Sequence, residues 1–141
     1  MERKASAAWQ GGIRDGKGTI STESRVLVST PYSFATCFES APGTNPEELL
    51  AAAHAGCFSM ALSLMLGDAG IRPERIDTTA AVTLEKLDTG FTITRVHLDV
   101  SVRAAGAERG KFEAAAIKAK ENCPLSKVLR AEITMEAKLA A

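Results

Sequence analysis

The sequence predicts an α+β fold on three observations. Short apolar and polar runs alternate up to Glu39, an apolar stretch from Leu49 to Leu66 carries no Asp, Glu, Lys or Arg, and strand and helix patterns alternate beyond it. From Ser6 to Glu39 the alternation is broken at Gly11-Gly12, Asp15-Gly16-Lys17-Gly18 and Thr30-Pro31, which predicts a meander of antiparallel strands joined by tight turns. Pro42-Gly43-Thr44-Asn45-Pro46-Glu47-Glu48 follows. There Asn45 suits a helix cap, Pro46 the first helical position and Glu48 the third position of a capping box. A long helix is expected from this point to Gly67 or Gly70.

Arg72-Pro73 ends that region, and two alternating segments, Ile76 to Leu87 and Phe91 to Ala104, flank the hairpin signature Asp88-Thr89-Gly90. Lys111 to Glu121 has helical spacing at Phe112, Ala115, Ala116 and Ala119. Cys123-Pro124 starts a short helix to about Leu129, and Ile133 to Leu139 closes as a strand. The long helix is apolar on every side, more than one small sheet covers, so a second subunit is expected to complete its burial.

A chain of 141 residues with 45% hydrophobic content fits one domain over residues 1–141 with a sizeable core. Seventeen basic residues balance seventeen acidic ones, which removes the electrostatic basis for unspecific binding to nucleic acid or anionic membranes. The expected partner is a neutral or apolar molecule or another protein. Met1 to Lys4 is charged and leads into no signal-peptide apolar core, so a cytoplasmic location is expected. Leu49 to Leu66 is long enough to test as a membrane span. It contains His54, Gly56, Ser59, Ser63 and five alanines without flanking anchors, and a central helix of a soluble fold has the same character.

Three cysteines spaced 20 and 66 residues apart match neither a secreted disulfide framework nor a close-set zinc motif. In a reducing compartment they are reactive or buried thiols. Cys57 lies in mid-helix, away from the helix dipole, and its local reading is packing. Cys123 precedes Pro124 and falls at a helix cap, where backbone N–H groups favour a thiolate, so locally it is the better reactive candidate. His54 precedes Cys57 by one helical turn, which allows a Cys-His pair or mere adjacency; His97 is expected at the surface of a strand. Glu47 and Glu48 stabilise the positive end of the helix. Glu47 is about 15 Å along the axis from Cys57, so another segment or subunit would have to bring the two together.

The run Gly43-Thr44-Asn45-Pro46-Glu47-Glu48-Leu49-Leu50-Ala51-Ala52-Ala53-His54-Ala55-Gly56-Cys57-Phe58-Ser59-Met60-Ala61-Leu62-Ser63 closely resembles the OsmC/Ohr family of organic hydroperoxide reductases, in its osmotically inducible branch. The resemblance extends to Trp9-Gln10-Gly11, Gly16-Lys17-Gly18-Thr19, Leu87-Asp88-Thr89-Gly90-Phe91, Cys123-Pro124-Leu125-Ser126 and Ala131-Glu132-Ile133-Thr134, nearly the whole chain. It implies an intertwined homodimer with antiparallel sheets wrapped around long central helices and two sites at the subunit interface. It further implies that Cys57 is the peroxidatic thiol, Cys123 the resolving thiol and Glu47 an assisting residue. The implied activity is reduction of an organic hydroperoxide to an alcohol through a Cys57 sulfenic acid and a Cys57–Cys123 disulfide, reopened by a dithiol such as a lipoylated protein. No metal, haem or flavin is required.

One position departs from the pattern. In Pro31-Tyr32-Ser33-Phe34-Ala35-Thr36-Cys37-Phe38-Glu39 the family places an arginine where this chain has Cys37. Loss of that guanidinium is expected to raise the Cys57 pKa and slow attack on peroxide. Three accounts stand open: a natural variant, an engineered Arg-to-Cys change, or service by another arginine, with Arg14 and Arg25 in the same region. Cys37 could also pair with Cys57, although its shorter side chain leaves a gap. Two other functions compete with the peroxidase: a peroxide-sensing or binding protein without efficient turnover, and a Cys-His hydrolase built on Cys57 and His54.

Overall fold

The computed structural model describes residues 1–140, which fall into two compact units that divide between residues 49 and 50. The first unit begins with a three-stranded antiparallel meander, β1 (Ala5–Gln10), β2 (Lys17–Thr22) and β3 (Thr30–Tyr32). Its tight packing centres on two glycines. A Cβ on Gly16 would lie 2.7 Å from the Gln10 carbonyl oxygen, and one on Gly18 would lie 2.7 Å from the Trp9 ring. Only glycine lets Trp9 and Tyr32, with ring centroids 5.5 Å apart, close over the strand.

The expected strand through Ser33 to Glu39 is instead a short helix, α1 (Phe34–Phe38). Ser33 and Thr36 form a reciprocal capping box: the Thr36 N–H donates to Ser33 Oγ at 3.4 Å and the Ser33 N–H donates to Thr36 Oγ1 at 2.9 Å. The alternation of apolar residues there was overridden by this local cap chemistry.

The long helix, α2 (Pro46–Asp68), begins where its caps predict. Asn45 Oδ1 accepts from the Glu48 N–H at 2.8 Å, while Asn45 Nδ2 donates to the Thr36 carbonyl at 2.9 Å and ties the helix start to α1. At the other end Gly70 adopts φ +76, and the Ile71 N–H donates to the Leu66 carbonyl at 2.8 Å, the geometry that terminates a helix at a left-handed glycine. By length and composition α2 could cross a membrane. Its stripe of His54, Phe58, Leu62 and Leu66 is nevertheless buried within the second unit.

In that unit β4 (Arg75–Leu87) and β5 (Gly90–Arg103) form the expected hairpin, with Leu87 paired to Gly90 across the Asp88-Thr89 turn. Helices α3 (Arg109–Asn122) and α4 (Pro124–Val128) then carry the chain across to β6 (Glu132–Ala140). Because this connection is a helical crossover, β6 pairs with β5 in parallel. The expectation of antiparallel sheets therefore holds for the meander and the hairpin, and the second sheet is mixed. Val96, Leu98, Val100 and Val102 of β5 face the core with Phe58, Leu62 and Leu66 of α2 and Phe112, Ala115, Ala116 and Ala119 of α3. His97, expected at the surface, is half-buried, with Nδ1 2.7 Å from Thr134 Oγ1 on β6.

Candidate active site

Cys57 and Cys123 meet although 66 residues separate them in sequence. Cys57 projects from the middle of α2 and is half-buried; Cys123, at the junction of α3 and α4, is fully buried. This reverses the local reading of the two thiols. The cap position does place Cys123 beside backbone donors, but the donor that acts on a thiol is the Leu125 N–H, and it points to Cys57. The Cys57 pKa lies above its ordinary value of 9.0: burial raises it most, the Leu125 N–H opposes that rise, and the neighbouring Cys123 thiol adds to it. Within the second unit Cys57 therefore rests as a thiol at neutral pH.

His54 is engaged with Ser126. Its Nε2 lies 2.9 Å from Ser126 Oγ on α4, its Nδ1 is buried without a partner among the described residues, and burial lowers its pKa. The ring is neutral and bound to Ser126. Leu125 and Ser126, whose contacts here were missed from sequence, had one available signal: both sit in the Cys123-Pro124-Leu125-Ser126 run that marks a helix start.

In the first unit Cys37 and Glu47 lie together. Burial and the Glu47 carboxylate both raise the Cys37 pKa above 9.0, against a smaller lowering from Thr36. Glu47 Oε2 and Thr44 Oγ1 are buried without hydrogen-bond partners among the described residues. A buried carboxylate oxygen without a donor is costly, and its neighbour here is a thiol that carries no positive charge. The Arg14 guanidinium stacks 4.8 Å over the Phe34 ring, and Arg25 occupies an exposed turn with φ +64. Cys37 also lines a pocket of about 310 Å³ with Trp9, Ile13, Tyr32, Phe34 and Phe38.

An α+β chain that holds a half-exposed helical thiol against a buried one, with a backbone N–H on the first sulfur, is a thiol redox protein. A family model described as OsmC-like protein matches residues 34–138, and the chain belongs to this family. It is 55% identical over 139 residues to the peroxiredoxin OsmC of Escherichia coli (strain K12), covering 99% of this chain and 97% of that protein. It is 32% identical over 99 residues to the organic hydroperoxide resistance protein OhrA of Bacillus subtilis (strain 168), covering 69% and 67% of the two chains. Among solved structures, that of the organic hydroperoxide resistance protein OhrB of B. subtilis aligns with a TM-score of 0.68 at 27% identity, covering 97% of this chain and 98% of the other. An OsmC-like protein from Vibrio cholerae aligns with a TM-score of 0.77 at 19% identity, covering 98% and 99%, a likeness of fold.

Proposed function

We propose that this protein is a thiol-dependent peroxidase that reduces organic hydroperoxides to alcohols. The observation that carries this reading is the contact of half-exposed Cys57 with buried Cys123 under the Leu125 N–H. The Cys57 thiolate attacks the terminal peroxide oxygen, the O–O bond breaks, and the alkoxide takes a proton and leaves as an alcohol. Cys57 is then a sulfenic acid. The Cys123 sulfur displaces its hydroxyl, giving a Cys57–Cys123 disulfide and water. A dithiol, such as a lipoyl group on a partner protein, reopens it by thiol–disulfide exchange.

The chain is further proposed to work as one domain over residues 1–141, in the cytoplasm, as a homodimer. Dimerisation is supported by the opposite face of α2, where Met60 and Leu64 remain 74% and 60% exposed, and by a first unit in which only Gly16 and Gly18 are buried. Glu47 and Cys37 of one subunit would then join the thiols of the other, since the helix itself keeps Glu47 about 15 Å from Cys57.

The high Cys57 pKa and the unpartnered Glu47 oxygen favour a second reading, a sensor that is oxidised once and turns over slowly. Thiol counting after one equivalent of cumene hydroperoxide, followed by addition of a dithiol, separates the two. Sustained peroxide loss is expected for the enzyme and a single stoichiometric event for the sensor. Unchanged thiols would defeat both.

A further inference from the structure

His54 and Ser126 bridge the same two helices as the sulfurs, and no step above uses them. His54 is fully buried in a stripe otherwise made of Phe58, Leu62 and Leu66. A polar ring at such a position is unfavourable unless it is bonded. One nitrogen, Nε2, has a partner in Ser126 Oγ at 2.9 Å; the other, Nδ1, has none among the described residues. A buried bare lone pair is more readily tolerated than a buried orphan N–H. On that ground we assign the proton of the neutral ring to Nε2, from which it is donated to Ser126.

Apart from the Leu125 side chain packed against the core and the Leu125 N–H on Cys57, little else holds the receiving helix. α4 has five residues, none of them buried. A helix of this length has no stability of its own. Yet this segment presents both the Cys123 thiol and the Leu125 N–H to Cys57. His54 lies one turn before Cys57 on α2, and Ser126 lies three residues after Cys123.

We infer that the His54–Ser126 hydrogen bond is the positioning contact that keeps the Cys123 thiol and the Leu125 N–H on the Cys57 sulfur through the oxidation cycle. This rests on the peroxidase reading for its role in turnover, although not for its geometry. Resolution requires the Cys123 sulfur to displace hydroxide from the Cys57 sulfenic acid, forming an S–S bond of about 2.05 Å and releasing water. A bond beside the sulfurs that is made without them holds α4 in place while they change oxidation state. Without it the sulfenic acid waits longer and is open to a second peroxide, which takes it to the sulfinic acid.

The test uses the full chain as wild type, Ser126→Ala, Ser126→Thr, His54→Gln and His54→Leu. Diamide drives closure: its N=N bond takes up the two hydrogens that the thiols lose as the disulfide forms. Quenched mass mapping gives the Cys57–Cys123 closure rate, and the pH profile of Cys57 alkylation gives its thiolate midpoint. Ser126→Ala is expected to close about tenfold more slowly with a higher midpoint. His54→Leu, which fills the core and deletes the donor, should show the same two changes. Ser126→Thr, and His54→Gln with its amide near the Nε2 position, should retain wild-type behaviour. Wild-type closure and midpoint in either deleting variant, folded by circular dichroism, would overturn the inference. Diamide closure needs no peroxidase activity. A wild type inert to cumene hydroperoxide, with Ser126→Ala still slow to close, defeats the peroxidase reading and supports the positioning role.

Discussion

At Cys37 a thiol sits against a carboxylate, and both groups suffer for it. The Glu47 charge and burial keep the thiol protonated, and Glu47 Oε2 is left buried without a donor. A guanidinium at residue 37 would supply the missing donor and, in the proposed dimer, a positive charge near the partner's peroxidatic sulfur. Cys37→Arg is therefore expected to increase turnover of an alkyl hydroperoxide by tenfold or more, about one pKa unit of thiolate stabilisation. The sign follows from Cys57. Its pKa is raised above 9.0, so in the wild type the reaction rate climbs with pH through and beyond that value, and Cys37→Arg should move the rise to lower pH. Steady-state rates of the two forms between pH 6 and about 10 check this, and superimposable profiles would remove the argument.

At the scale of elements, Asn45 does two jobs with one side chain. It caps α2 through Oδ1 and secures the end of α1 through Nδ2. Asn45→Ala loses both bonds and is expected to lower unfolding free energy by about 1.5 kcal/mol in a denaturant titration. Asn45→Asp keeps the cap and loses the donor, so it should recover roughly half of that. Equal losses in the two variants would show that the tie to α1, rather than the cap, dominates. The capping box at Ser33 and Thr36 makes α1 a helix where the alternation of residues predicts a strand. Its five residues are too few to show a helical period, whereas the 23 residues of α2 show caps, length and apolarity together.

For the whole molecule the deciding quantity is apolar surface. α2 buries one stripe in the second unit and leaves Met60 and Leu64 on the other face, and β1 is exposed along its entire length. Covering such side chains is worth about 1.5 to 3 kcal/mol each. A charge at the centre of that face should therefore be severe. Met60→Glu is expected to weaken dimerisation by about a hundredfold or more and to abolish turnover if the site spans two subunits. Light scattering coupled to size exclusion, read beside the peroxidase assay, tests both. A dimer of unchanged affinity would place the interface elsewhere.

By itself the sequence determined the order and type of most elements, because each rests on chemistry confined to a few neighbouring residues. Examples are the Asn45-Pro46 cap, the Asp88-Thr89-Gly90 turn and the Cys123-Pro124 restart. It also determined the family, through motifs spread along the chain. Only the tertiary structure decided what depends on distant partners: that β6 lies parallel to β5, that Cys57 is the more accessible thiol and Cys123 the buried one, and that His54 is bound to Ser126. Local sequence ranked the two cysteines in the opposite order because it registers a helix cap but not burial. Burial, and the direction in which a backbone N–H points, are set by segments 66 residues apart meeting in space.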